Sequence, residues 1–570
     1  MKKRTFSLLL SIAMLVSVLA GFSGQASGAA ASNHEKSTLP ADDESKEITI
    51  SYWMFADDYK HFSSLNESPI VKVLNEKFNV KLDFQTPAMG SEADNFNLML
   101  GTQDYTDIMN MTYCTESLST LYEDGVILDL APYVEEYMPN YYAVLQANPE
   151  LKRAVYDDDG HLFSIPQMAN TEALQWGGMV YRRDILETMT GGNVQFPSGN
   201  DEPTTVEDWD YMLPLMKAYF EASGMVDTAC LIIPATGYVG TGELQAGWGA
   251  TGMFGLGMDG KTVEYAPATD NFYNYVCKMH EWYEAGFIYP DFASRTSDMF
   301  YLPNPALTYG GAAGVWFGLL AQVSDRMSMP EYGLNMDVRP LAAPLDTAHG
   351  ITAEMAGSYI STDIVSANRC IAATVSPEKL VRILKVMDYT YTQECALMMY
   401  RGLNAEQAAK DELYTKMGFT DGAYWYDENG KLCVADWYLH AEEQGITRVA
   451  FTAERLMGVT DATCNDWPAN KERTYLDDAE ENADAVWTSY GNGRVIPMSA
   501  ANMNSEESEK YNAVYTDVND YANTMIPKFI LGTEPLNEET WAAFVQKLND
   551  LGMQDMVDAR QSAYDRYMAR

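Results

Sequence analysis

Several groupings in the chain have residue types that could do chemistry. Gly255, Gly257 and Gly260 spell GxGxxG. In a dinucleotide-binding unit such glycines open a helix whose N-terminus takes the pyrophosphate. Here Lys261 to Ala266 alternates as a strand where that helix would begin, so the match is one of letters. Glycoside hydrolysis needs two carboxylates flanking a bond, but 81 acidic residues bring some pairs together in any fold, and none stands out. Asp157, Asp158 and Asp159 could offer oxygens to calcium. They lack the spaced ligands and closing glutamate of an EF-hand and read as a surface turn ending at Gly160. The six histidines, His34, His61, His161, His280, His349 and His440, are scattered, and no Walker A loop, HExxH or GxSxG occurs.

The aromatic residues say more. The chain holds 11 Trp and 37 Tyr, and Trp53, Tyr113, Trp176, Trp248 and Trp316 fall at strand ends or beside glycines, where loops reach a cleft. Flat rings stack on the apolar faces of sugars while amides and carboxylates take the hydroxyls; ordinary packing is the competing use of the same rings. These five are the candidate ligand-binding residues. No catalytic residue, metal or cofactor is expected.

The elements that must position them are organised around Asp157 to Asp184. After the acidic turn, Leu162, Phe163 and Ile165 are apolar and Pro166 ends any ladder, having no N–H. A second apolar strand follows at Met179 to Tyr181, and the polar gap between the two holds Gln175 and Trp176. Two lobes would meet there. Upstream, Ile48, Ile50 and Tyr52 alternate as a strand, Ser68 and Pro69 start a helix with Ser68 as its cap, and Val80, Leu82 and Phe84 alternate again. Strand, helix, strand is the unit of a parallel or mixed sheet, which predicts an α/β class. Helices are expected with Val206, Trp209, Met212 and Met216 inward, from about Asp270 to Ala285 before Gly286, from Pro377 to Met399, and through most of the last hundred residues.

At 570 residues the chain exceeds one core, so lobes of roughly 100 to 200 residues each are expected. The formal net charge of −43 excludes nucleic acid as a partner and repels anionic lipid. Residues 1–31 read as a secretory signal: Lys2, Lys3 and Arg4 precede an apolar run from Phe6 to Leu19. Its loss would take the chain from −43 to −46, since those three cations leave with no acid. Residues 32–46 are polar and read as a flexible spacer. The seven cysteines are odd in number, far apart and free of CxxC pairs, which predicts buried free thiols.

Taken in order, these features resemble the family 1 extracellular solute-binding proteins of ABC importers, in particular the long lipoprotein-type group of Gram-positive bacteria. The residues that carry the resemblance are Ser68-Pro69 with the helix and strand after it, Gly125 to Pro132, Asp159-Gly160 through Ile165-Pro166, and Tyr181 to Asp184. Trp282 to Phe292, Phe529 to Gly532 and Gln561 to Tyr567 continue it. Thr106 departs from a proline common before the Asp107 strand, and Phe22 stands where that group carries its lipidated cysteine, so no lipid anchor can form there.

The resemblance implies a two-lobed, type II periplasmic-binding-protein-like fold with mixed sheets flanked by helices and a hinge between lobes. It implies a monomer that captures a small molecule, an oligosaccharide on the strength of the aromatics, and delivers it to the transmembrane subunits of a permease. The competing readings are a secreted carbohydrate-active enzyme and a peptide receptor of the same fold. The expected divisions are 47–166 for the first part of lobe 1, 167–339 for the first part of lobe 2, 340–405 for a return to lobe 1, and 406–570 for lobe 2 with the C-terminal helices.

Overall fold

The computed structural model describes residues 36–55, 64–168, 177–233, 244–294, 305–319, 336–356, 365–439, 478–490 and 503–570, apart from single positions 251, 367 and 431. It also describes positions 61, 323, 451–453, 456, 458, 494 and 496. The signal segment 1–31 and Trp176 lie outside the described residues.

Strands β1 (Ile48–Trp53), β2 (Val80–Gln85) and β3 (Ile108–Asn110) run parallel, and β12 (Arg369–Ile371) closes the sheet antiparallel to β3, in the order β12-β3-β1-β2. Val80, Leu82 and Phe84 are buried in alternation with outward residues, as a two-residue period requires. The helix Pro69–Phe78 between β1 and β2 buries Ile70, Val71 and Leu74. Ser68 occupies its N-cap position without a side-chain bond; its buried Oγ has no partner among the described residues, so the start rests on Pro69 at the first helical position. One face of the sheet, with Tyr52, Ile108 and Ile371, packs on that helix and on Pro377–Tyr389. The other, with Trp53, Met109 and Cys370, packs under the helix Glu92–Thr102.

The second sheet, in the order β10-β5-β9-β6, comprises β5 (Gly177–Arg182), β6 (Ala229–Leu231), β9 (Ala313–Leu319) and β10 (Val338–Leu341). β6 is parallel to β9 and the other pairs are antiparallel. The helix Val206–Ser223 begins at a capping box in which Thr205 accepts from Asp208 N–H, and buries Trp209, Met212 and Met216 on that sheet. The helix Asp270–Glu284 ends at Ala285, with Gly286 at φ 71°. The C-terminal helices Ser505–Ile530, Glu538–Asp550 and Met553–Ala569 complete this core.

The chain passes between the two bodies three times. β4 (Gln167–Met168) pairs with β11 (Val365–Ser366) where the first and second passages lie side by side. Met168 N–H also donates to Gly458 O at 2.8 Å, which brings in the third. Beyond it the helix Asp478–Trp487 lies on the second sheet, its Trp487 indole N–H donating to Met179 O at 2.9 Å. A Cβ at Gly178 would stand 2.6 Å from that indole, so this strand can carry only glycine there without displacing the ring.

These contacts move two of the expected divisions. Residues 340–356 stay with the second body, because β10 pairs with β5 and Ala343, Ile351 and Ala356 pack with Ala246 and Tyr490. Ala408, Tyr414, Phe451 and Leu456, expected in lobe 2, belong to the first core. Nor are residues 36–46 a loose spacer. Asp42 receives Arg382 Nε at 2.8 Å and pairs with Lys385, Leu39 is buried, and its N–H donates to Tyr137 Oη at 2.7 Å. The expected single helix from Pro377 to Met399 is two, Pro377–Tyr389 and Gln393–Arg401, with Thr392 capping the second.

Candidate ligand site

In an open sheet with parallel strands, ligands bind outside the carboxyl ends of the strands. For the first body those ends are Trp53, Gln85 and Asn110, and the residues just beyond Trp53 and Asn110 carry the groups of interest. Phe55 follows β1 and Tyr113 follows β3; their rings meet edge to face at 5.8 Å, and both are half-buried. Asn110 Oδ1 accepts from Thr112 N–H at 3.0 Å and from its Oγ1 at 2.6 Å. The Asn110 Nδ2 group is buried and donates to no described group. Asn368 stands at the same edge, since β12 runs antiparallel to β3 and Arg369 faces Asn110. Ser164 Oγ donates to Asn368 Oδ1 at 3.0 Å. This edge therefore combines two rings with amides and hydroxyls, groups that bind polyhydroxylated neutral molecules.

The structure places four of the five candidate residues, Trp176 lying outside the described residues. Trp53 and Tyr113 come together, ring centroids 6.4 Å apart. Trp53, however, is only 2% exposed. It lies in register with Met109 on the sheet face covered by Phe96, 4.9 Å away, and its indole N–H donates to Asn95 Oδ1 at 2.8 Å. It supports Tyr113 from behind and presents no free face. Trp248 is packed against Tyr275 and Trp282 at 5.3 and 6.2 Å. Trp316 is fully buried in central strand β9, opposite Val180. Both are core residues in this arrangement because each follows the inward alternation or lining of its own body. Phe55, Asn110, Ser164 and Asn368 were missed. A polar residue closing a buried strand, as Asn110 does after Ile108 and Met109, is the signal that could have found one of them.

The Cys114 thiol, beside the same ring cluster, is pushed up to about 11 by burial, and burial likewise raises Cys370, so neither is a thiolate near neutral pH. Asp157, Asp159 and His161 bring ligand atoms within 4.8 Å of one another. Asp157 Oδ1 already accepts the N–H groups of Asp159 and His161, and its Oδ2 lies 2.8 Å from His161 Nδ1. The group is a turn that satisfies itself, with Gly160 at φ 84°. Gly255 to Gly260 form a hairpin between β7 (Phe254–Leu256) and β8 (Val263–Tyr265), and no helix begins there. No helix among the described residues is long and apolar enough to cross a membrane.

Two α/β bodies joined by three passages, the first carrying a polar and aromatic edge at its strand ends, define the fold of the two-lobed solute-binding proteins of ABC importers. The alginate-binding protein AlgQ2, solved without calcium ion, superposes with a TM-score of 0.67 at 19% identity, covering 92% of this chain and 100% of that one. An HMO-binding, ABC-transporter-associated solute-binding protein from Bifidobacterium longum infantis gives 0.68 at 15% identity, over 91% and 99%. FusA of Streptococcus pneumoniae in complex with kestose gives 0.65 at 18%, again over 91% and 99%. In sequence, the curated fructooligosaccharide ABC transporter substrate-binding protein FusA of S. pneumoniae is 26% identical over 145 residues. That match spans 25% of this chain and 23% of the relative. No family model matches the chain.

Proposed function

We propose that this chain is the extracellular substrate-binding protein of an ABC importer, capturing an oligosaccharide between its lobes and handing it to a membrane permease without altering it. The observation that carries the reading is the likeness to saccharide-binding proteins of this fold over more than nine-tenths of the chain. The edge built from Phe55, Tyr113, Asn110, Ser164 and Asn368 supports it, since rings and amides match a neutral glycan. So does the net charge of −43, which disfavours an acidic one. The chain acts as a monomer outside the cell, exported by residues 1–31 and without a lipid on Phe22.

In this account the ligand touches both lobes and draws them together by its greater affinity for the closed arrangement. A thermal-shift screen against fructo-oligosaccharides, milk oligosaccharides, high-mannose glycans, uronates and peptides tests it, because a ligand that binds only the native state raises its melting temperature. A shift with one class of neutral glycan, recovered intact by chromatography, is expected. A shift with peptides alone, or cleavage of the glycan, overturns the reading.

A further inference from the structure

Away from the hinge, the two bodies also meet at the last turn of the helix Met553–Ala569. That helix belongs to the second body, where Met553, Met556 and Ala559 join the core and Tyr564 and Tyr567 pack with Leu256 and Val263. Arg566 and Arg570 stand one helical turn apart on the same face, and both reach the first body. Arg566 Nε lies 2.5 Å from Asp158 Oδ2, and Arg570 Nε lies 2.7 Å from Asp158 Oδ1. Arg570 Nη1 also donates to the carbonyls of Tyr156 and Arg153. The Arg153 guanidinium in turn lies over the Tyr567 ring, 4.5 Å from its centre.

Both sides of this contact are held ready. Arg566 also pairs with Glu507, whose carboxylate accepts Asn504 N–H at 2.9 Å in the capping box of the helix Ser505–Ile530. At the start of that helix Ser505 meets Thr120 of the first body, hydroxyl to hydroxyl at 3.4 Å. Asp158 projects from the self-satisfied turn of Asp157 and Gly160, just ahead of hinge strand β4. Burial tends to raise the Asp158 carboxyl, and the Arg570 and Arg566 charges outweigh it and leave it lowered. In a chain with 81 acids against 38 Lys and Arg, two arginines, Arg566 and Arg570, pair here with two carboxylates, Asp158 and Glu507.

We propose that this seam is an electrostatic clasp that holds the lobes at the separation seen here, so that hinge motion has to break it and ionic strength sets how readily the lobes part. Such pairs lose their hydrogen bonds within a few ångströms of displacement, so the clasp is either made or broken as the hinge turns. The inference rests on the two-lobe reading and on no ligand class.

The test uses the full, ligand-free chain in small-angle X-ray scattering as salt rises from about 0.01 M to about 1 M, which shortens the screening length from about 30 Å to about 3 Å. The wild-type profile should change across that range. Asp158→Asn at low salt should match wild type at high salt and lose its salt response, Arg570→Gln should lose part of it, and Arg570→Lys should keep the low-salt profile. Near-ultraviolet circular dichroism establishes that each variant is folded. A wild-type profile that does not change with salt, or an Asp158→Asn profile that follows wild type throughout, overturns the clasp. Since no ligand is added, failure of the glycan reading would leave this result unaffected.

Discussion

Replacing Arg369 should loosen the first lobe at the root of the hinge. Arg369 is fully buried, and its guanidinium donates to Ile165 O at 2.8 Å, Pro166 O at 2.9 Å and Leu456 O at 2.7 Å. Ile165 and Pro166 immediately precede β4, and Leu456 precedes the third passage, so one side chain ties two passages together. Arg369→Met keeps most of the volume and removes every donor. Two carbonyls are abandoned, Ile165 O and Leu456 O, because Pro166 O also accepts from the Tyr391 hydroxyl; each costs about 1 to 3 kcal/mol, and water entering beside it recovers part. The relief of burying a charge offsets some of the rest, which leaves about 2 to 4 kcal/mol. For a lobe of this size that lowers the melting temperature by roughly 4 to 16 °C. Differential scanning calorimetry should show the first-lobe transition moving down while the second-lobe transition stays. Arg369→Lys, with one ammonium to serve three carbonyls, should fall between. A shift below about 2 °C, or one confined to the second lobe, would refute the bracing role.

Two further substitutions separate recognition from packing. Tyr113→Ala should weaken glycan binding by about 1 to 3 kcal/mol in calorimetry with little loss of stability, whereas Trp53→Ala should destabilise the fold by about 3 to 5 kcal/mol in a denaturant melt; equal effects in both assays would remove the distinction. The N-terminal strap gives a pH prediction. Burial tends to raise the Asp42 carboxyl, but the Arg382 and Lys385 contacts outweigh it and hold it below the usual range. A lowered folded pKa means stability that is fully present above the unfolded value near 3.9 and is lost as pH falls through the folded one. Asp42→Asn should therefore cost about 2 to 3 kcal/mol at neutral pH, with the gap to wild type closing below about pH 4; a gap independent of pH would exclude the ion pair as its source.

The local order of elements could be read from the sequence because it rests on short-range patterns. The alternation of Val80, Leu82 and Phe84, the stop at Gly286 and the Asp157 to Gly160 turn each follow from residues within one or two turns of one another. The use of each aromatic could not. Trp53 ends a strand, as a cleft residue would, and only the helix Glu92–Thr102 folding over it decides that the ring is buried. The strap at Asp42 read as spacer because its partners, Arg382 and Lys385, lie more than three hundred residues away in sequence. The return of Ala408, Tyr414, Phe451 and Leu456 to the first core was hidden for the same reason: these apolar residues fit either body, and only packing chooses. The amide edge at Asn110 and Asn368 joins two strand ends that sequence separation alone does not relate.

The most direct measurement of the central claim is small-angle scattering of the chain with and without a saturating amount of the neutral oligosaccharide that gives the largest thermal shift. A ligand held by both lobes favours the closed arrangement through its differential affinity, so the account predicts a smaller radius of gyration in the complex and recovery of the glycan unchanged. An unaltered profile at saturation, or conversion of the glycan to products, would contradict it.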